Sequence, residues 1–145
     1  LHKGLIQARN IAGGIRAFGP LRAISSTATR CQATMEPLIE KTGLELKSSK
    51  SLSQDAYDSQ GTKTFRAVEK RVSQKMPTVM CSHGPVLPQL VSAAAEIGHG
   101  GSYTALSDAA TLGVGSFSVL HFSKDSKTPQ IVAIETHQPP LWSKD

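Results

Sequence analysis

Thr78-Val79-Met80-Cys81 is a short, unbroken apolar run, closed at once by Ser82-His83-Gly84-Pro85 and followed by Leu87, Leu90, Val91 and Ala94 at helical spacing. An apolar run too short for a helix and without alternation reads as a strand buried on both faces. A strand that feeds a helix through a sharp turn is the unit from which parallel sheets with crossover helices are built.

The rest of the chain repeats this order. Leu5, Ala8, Ala12 and Ile15 form the apolar stripe of a helix over Lys3 to Phe18, stopped by Gly19-Pro20. Leu21 to Ile24 is then a strand, the hydroxyl run Ser25-Ser26-Thr27 a loop with Ser26 or Thr27 as helix cap, and Cys31, Met35, Leu38 and Ile39 the buried face of a second helix ending at Thr42-Gly43. Pro37 implies a kink or a division in that helix. Leu44-Glu45-Leu46 reads as a short strand, Lys47 to Gln60 as an exposed connection, and Phe65, Val68, Val72 and Met76 as a third helix closed by Pro77. After Gly98-His99-Gly100-Gly101, the runs Phe117 to Phe122 and Ile131 to Ile134 flank the polar turn Lys124 to Pro129 as an antiparallel hairpin. The expected fold is α/β, a three-layer sandwich whose mostly parallel sheet carries helices on both faces and finishes in an antiparallel edge hairpin.

Composition narrows the function classes. The 145 residues suit one domain, and with 39% hydrophobic and 19% charged residues they can bury a core. No apolar stretch approaches the roughly 20 residues of a membrane span, so no membrane partner is expected. The formal charge of +5 favours anionic ligands, but only 5% of residues are aromatic and the basic ones are scattered, which points to phosphorylated small molecules or nucleotides rather than a nucleic-acid polymer. Cys31 and Cys81 form no Cys-x-x-Cys pattern, so a reduced, cytoplasmic setting is expected. His99 and His121 lack a second ligand at metal spacing, and the Gly98 and Gly113 segments lack a dinucleotide-binding context. No metal site is expected in this domain.

In open parallel sheets, ligands sit beyond the carboxyl ends of the strands, and two strand ends here carry chemistry. Arg30 follows the first strand, where its planar fork can grip a phosphate; the alternative is a solvated arginine at a helix start. His83 follows the strand at Thr78 to Cys81, beside the free N–H groups of the next helix; the alternative is a capping or core histidine. Ser26 and the Gly84 backbone N–H are further phosphate ligands in the same reading.

Ser-Ser-x-x-x-Arg closing one strand and Ser-His-Gly closing another resemble the histidine phosphatase superfamily, which is phosphoglycerate mutase-like in fold. Ile24-Ser25-Ser26-Thr27-Ala28-Thr29-Arg30-Cys31-Gln32-Ala33-Thr34, with Glu36-Pro37-Leu38 and Thr42-Gly43-Leu44, is similar to its second signature, and Val79 to Gly84 to its second-histidine strand. Leu1-His2-Lys3-Gly4 with Gln7-Ala8 resembles the start of its first helix. Within the superfamily, Leu52 to Tyr57, Cys81 to Pro88 and Val132 to Glu135 look like the carboxyl-terminal domain of actinobacterial MutT-like Nudix hydrolases, with the small phosphohistidine phosphatases as cousins.

The resemblance implies a phosphate-ester or phosphoanhydride hydrolase acting on nucleotides such as 8-oxo-dGTP or dinucleoside polyphosphates. It also implies a histidine of an Arg-His-Gly motif as phosphoryl acceptor, with Arg30 and His83 stabilising the transferring group. No Arg-His-Gly occurs in the 145 residues, and no Nudix box. The family's order puts that motif, on a first strand missing here, before Leu1. Residues 1–138 are then a histidine phosphatase-like domain lacking this strand, inactive alone, and 139–145 a tail; magnesium belongs to an N-terminal Nudix domain. Asp55 is the candidate proton donor to the leaving oxygen, with Asp58 its rival. The alternative is a non-catalytic domain that binds phosphate or packs against a partner domain.

Overall fold

A computed structural model describes residues 2–56, 61–124 and 127–139. Helix α1 (His2–Arg16) leads to strand β1 (Arg22–Ser25), helix α2 (Thr29–Thr42) and strand β2 (Leu46–Ser48). Two single 3₁₀ turns follow, Lys50–Leu52 and Gln54–Ala56, and then α3 (Thr62–Ser73), β3 (Thr78–Cys81), α4 (Leu87–Gly98), α5 (Tyr103–Ala110), β4 (Phe117–Phe122) and β5 (Ile131–His137).

The sheet β2-β1-β3 is wholly parallel, with Ala23 opposite both Leu46 and Val79, and Ser25 opposite both Ser48 and Cys81. Pleating sends consecutive side chains to opposite faces, and two adjacent residues of β1 define the layers. Ala23 joins Ala12, Met35 and Leu38 beneath α1 and α2. Ile24 joins Leu52, Val68, Val86, Leu90, Ala93, Ala94 and Ile131 beneath α3 and α4. The antiparallel hairpin is present, and its strands bond to one another as a separate two-stranded sheet, with an irregularity between His121 and Phe122.

Several local expectations need correcting. β3 is half-buried along its length rather than enclosed, because it has a parallel neighbour on one side only. Helix α2 runs undivided through Pro37; the carbonyl that Pro37 leaves unbonded belongs to Ala33, which is exposed and can be solvated. Its N-cap is Ala28, without a side-chain cap, since the Ser26 hydroxyl is engaged elsewhere. β2 begins at Leu46, two residues beyond the expected start. Helix α3 ends at Ser73, so Met76 lies outside it, past Lys75 in the left-handed region, and its sulfur accepts from Arg22 Nε at 3.2 Å. The 47–60 connection is not uniformly exposed: Leu52 is fully buried.

Helix α5 was not expected; Ser102 caps it by accepting from the Ala105 N–H at 3.2 Å, and Ala109 is buried beneath it. The carboxyl end of α4 meets the hairpin through glycine. A Cβ on Gly98 would stand 2.6 Å from Ile131 Cγ1 and 2.8 Å from Phe122, so any other residue must push these side chains aside. Among the described residues no helix is long and apolar enough to cross a membrane. Beyond Pro139, the tail lies outside the described residues.

Candidate active site

Because β1 and β3 are parallel and in register, Ser25 and Cys81 end them at the same sheet edge, and the Ser26 N–H donates to the Cys81 carbonyl at 3.0 Å. The loops beyond therefore leave side by side. Ser82 Oγ donates to the Leu52 carbonyl at 2.6 Å, tying the β3 loop to the first 3₁₀ turn, while the Val86 and Leu87 N–H groups return to the His83 carbonyl at 2.9 and 3.0 Å. His83 is thus fixed at both its backbone and its ring.

The ring lies between Ser26 and Arg30. Ser26 Oγ is 2.9 Å from Nε2, Arg30 Nη2 is 2.9 Å from Nδ1, and both Ser26 and His83 are buried. A guanidinium only donates, so Nδ1 must accept and the remaining ring proton sits on Nε2, donated to Ser26. This assigns the tautomer from the network. Ser26 Oγ also accepts from the Ala28 N–H at 3.3 Å, so its own proton is the one it can donate, and the Cys31 sulfur draws on it.

Arg30 lies in the first turn of α2, with an exposed side chain whose Nη2 also reaches Gln54 Oε1 at 3.1 Å. Of the residues singled out from sequence, Ser26, Arg30 and His83 converge on one point. Gly84 lies in the adjoining turn, exposed, with open space where a Cβ would project. Asp55 is exposed on the second 3₁₀ turn, where its N–H donates to Ser53 Oγ at 3.2 Å; its neighbour Gln54 is the residue that meets Arg30. Asp58 lies outside the described residues.

Sequence reasoning overlooked Gln54, whose role depends on how the 3₁₀ turns fold back, and it took Cys31 only as part of the helix core. The Cys31 sulfur is 3.7 Å from His83 Nε2 and 3.6 Å from the Ser82 carbonyl. Its pKa is lowered to about 6, chiefly by the hydrogen bond from the Cys81 thiol; burial opposes the shift, and the Ser26 hydroxyl and the electrostatic influence of the neighbouring His83 and Arg30 add to it. Cys81 moves the other way, held as a thiol by that same hydrogen bond, by burial and by the charge on Cys31.

Residues 1–77 match the histidine phosphatase superfamily (branch 1), a span that includes Ser26 and Arg30 and stops before His83. The chain belongs to this superfamily. Its fold is shared with solved histidine phosphatase-like structures from mycobacteria. Glucosyl-3-phosphoglycerate phosphatase in complex with inorganic phosphate is 17% identical at a TM-score of 0.67, over 95% of this chain and 85% of that one. The same enzyme with VO3 is 17% identical at 0.66, over 91% and 82%. A protein described as mycobacterial hydrolase 1 is 17% identical at 0.65, over 91% and 81%. As a branch 1 histidine phosphatase-superfamily member, the chain carries its polar cluster at the carboxyl edge of the parallel strands, the edge at which such sheets bind ligands.

Proposed function

We propose that this chain is the phosphate-binding part of a phosphate-ester or phosphoanhydride hydrolase, with Arg30 and His83 as its anion-binding pair. The supporting observation is the contact of Arg30 Nη2 and His83 Nδ1 at 2.9 Å beside the Ser26 hydroxyl. Two nitrogens so close, one permanently cationic, share a single lone pair. A phosphate oxygen offers the guanidinium a better acceptor, and a His83 ring that takes up a proton with the anion donates to it from Nδ1, while Gln54 and Ser26 keep their hold. Ser26 can turn its hydroxyl proton from the Cys31 sulfur to the phosphate, and the Gly84 N–H adds a further contact. Donors aimed at oxygens that gain charge during phosphoryl transfer contribute about 3–4 kcal/mol each to transition-state stabilisation in comparable sites.

The chemistry of the resemblance needs an acceptor that these side chains do not provide. The reading takes it from a histidine of an Arg-His-Gly strand preceding Leu1: its imidazole attacks phosphorus, the leaving oxygen departs with a proton, and water then hydrolyses the phosphohistidine. Asp55, exposed beside the Arg30 partner Gln54, is the proposed proton donor to the leaving oxygen. The finer reading, a domain carboxyl-terminal to a MutT-like Nudix hydrolase with nucleotide substrates, rests on the resemblance of the 52–57, 81–88 and 132–135 segments. Magnesium belongs to the Nudix half, and no residue of this chain is asked to hold it.

Isothermal titration with orthovanadate tests the site. One equivalent is expected to bind, with about 100-fold weaker affinity in Arg30→Ala and in His83→Ala. Failure of the unaltered chain to bind vanadate, or undiminished binding by both variants, overturns the assignment.

A further inference from the structure

Helix α3 reads Thr-Lys-Thr-Phe-Arg-Ala-Val-Glu-Lys-Arg-Val-Ser, and all of its cations meet at one place. Lys63, Arg66, Lys70 and Arg71 line a groove of about 470 Å³, whereas Glu69, the one acid of the helix, does not. Ser49 and Ser51, at the first 3₁₀ turn, line it too, and Ile24, Leu52 and Met80 give it an apolar base. The clustering follows from the helical period: positions 63, 66, 70 and 71 share one face, while Phe65, Val68 and Val72 turn to the core. Among the described residues none of the four cations has a carboxylate within ion-pair distance. Arg71 Nη1 donates to Gln74 Oε1 at 3.2 Å, which leaves the rest of its fork for another acceptor. Like charges three or four residues apart destabilise a helix, so α3 bears a repulsion that a bound anion would relieve.

We propose that this groove is a binding site for a polyphosphorylated small molecule, separate from the Arg30–His83 pair. The inference stands apart from the phosphatase reading, since none of Ser26, Arg30 and His83 lines the groove.

The lining selects the ligand. Lys63 and Lys70 are seven residues apart, about 10 Å along the helix, a span matched by several linked phosphates rather than by one. The two arginine forks suit paired phosphate oxygens. Ser49 Oγ accepts from the Ser51 N–H at 3.3 Å and has its own proton to donate. No aromatic side chain lines the groove, so nothing there stacks a nucleobase, which argues against a single-stranded nucleic acid. The volume is that of a small-molecule pocket and too small for a folded partner. The apolar base keeps water from one side of the ligand and strengthens its attraction to the cations.

Isothermal titration of the full chain with sodium tripolyphosphate tests this. Arg66→Gln combined with Lys70→Gln removes two exposed heads without disturbing a helix former. This double variant should bind tripolyphosphate at least about tenfold more weakly, from the loss of charge-assisted hydrogen bonds, and should keep its vanadate affinity. Arg9→Gln combined with Arg16→Gln takes the same charge from exposed positions of α1, in the other helix layer. Screening confines such distant charges to an effect within about twofold. Arg30→Ala should likewise retain tripolyphosphate binding. No binding by the unaltered chain, or equal weakening by the α1 and α3 double variants, overturns the proposal. A loss in Arg30→Ala as large as that in the α3 variant also overturns it, by placing the anion at the Arg30–His83 pair instead.

Discussion

Ser26 and His83 leave two different parallel strands and meet at 2.9 Å, Oγ to Nε2, so that one buried hydroxyl fixes the ring that Arg30 engages from the other side. Removing the hydroxyl leaves the Nε2–H unpaired in a buried site, at a cost of about 1–3 kcal/mol. Ser26→Ala should therefore destabilise the chain by that amount and weaken vanadate binding about tenfold, since the ring is free to rotate. Chemical denaturation and isothermal titration measure the two effects. Nitrogen-15 NMR of the unaltered chain should show the His83 proton on Nε2, and a proton on Nδ1 instead would contradict the network.

Arg30 contacts its partners through Nη2 alone, leaving the rest of the fork to face an anion. Lysine keeps the charge but not the fork. Arg30→Lys should bind vanadate more weakly than the unaltered chain and more tightly than Arg30→Ala; lysine and alanine behaving alike would mean that geometry, not charge, governs the site.

Gln54 and Asp55 are neighbours with different environments. Gln54 holds Arg30 at 3.1 Å, while Asp55 is exposed beside it. Gln54→Ala should weaken vanadate affinity by about 1 kcal/mol, the worth of one hydrogen bond, and Asp55→Asn should leave it unchanged. The comparison separates binding from proton donation: an Asp55 that matters only in turnover changes kcat of the hydrolase and not vanadate affinity.

The β3 loop was legible because an apolar run ending in Ser-His-Gly-Pro admits few folds, and the layered sheet followed from the repetition of that pattern. Gln54 was not legible, since nothing in its local sequence says that Arg30 stands opposite. Nor was the chemistry of Cys31: its spacing correctly marks the buried face of α2, whereas its ionisation depends on Cys81, and that contact arises only once β3 pairs with β1. Pro37 left a kink or a division open; the helix is not divided there, because the orphaned carbonyl, that of exposed Ala33, can reach water.

The thiol of Cys31 gives a pH signature. Its pKa is lowered to about 6, so its reactive thiolate is present above that pH and lost as the pH falls through it. An ordinary cysteine loses its thiolate near pH 8.5. The rate of Cys31 alkylation by iodoacetamide, followed by peptide mapping, should be half-maximal near pH 6, and in Cys81→Ala the midpoint should move upward because the chief hydrogen-bond donor is gone. A midpoint near 8.5 in the unaltered chain would show that the thiol is unperturbed.

Gly98 and Gly100 decide whether the hairpin can seat on α4. A Cβ at Gly98 would overlap Ile131 and Phe122 side chains, which can shift, whereas one at Gly100 would strike the Ile131 carbonyl, which is backbone. Overpacking of a formed core costs about 1–3 kcal/mol when side chains can adjust. Gly98→Ala should fall within that range, reduced by the better helix propensity of alanine, about 1 kcal/mol. Gly100→Ala has no side chain to move aside and must displace β5 itself, so it should be the more damaging of the two. Thermal denaturation of both variants checks the order; the reverse order would mean that the hairpin sits farther from the end of α4 than these contacts require.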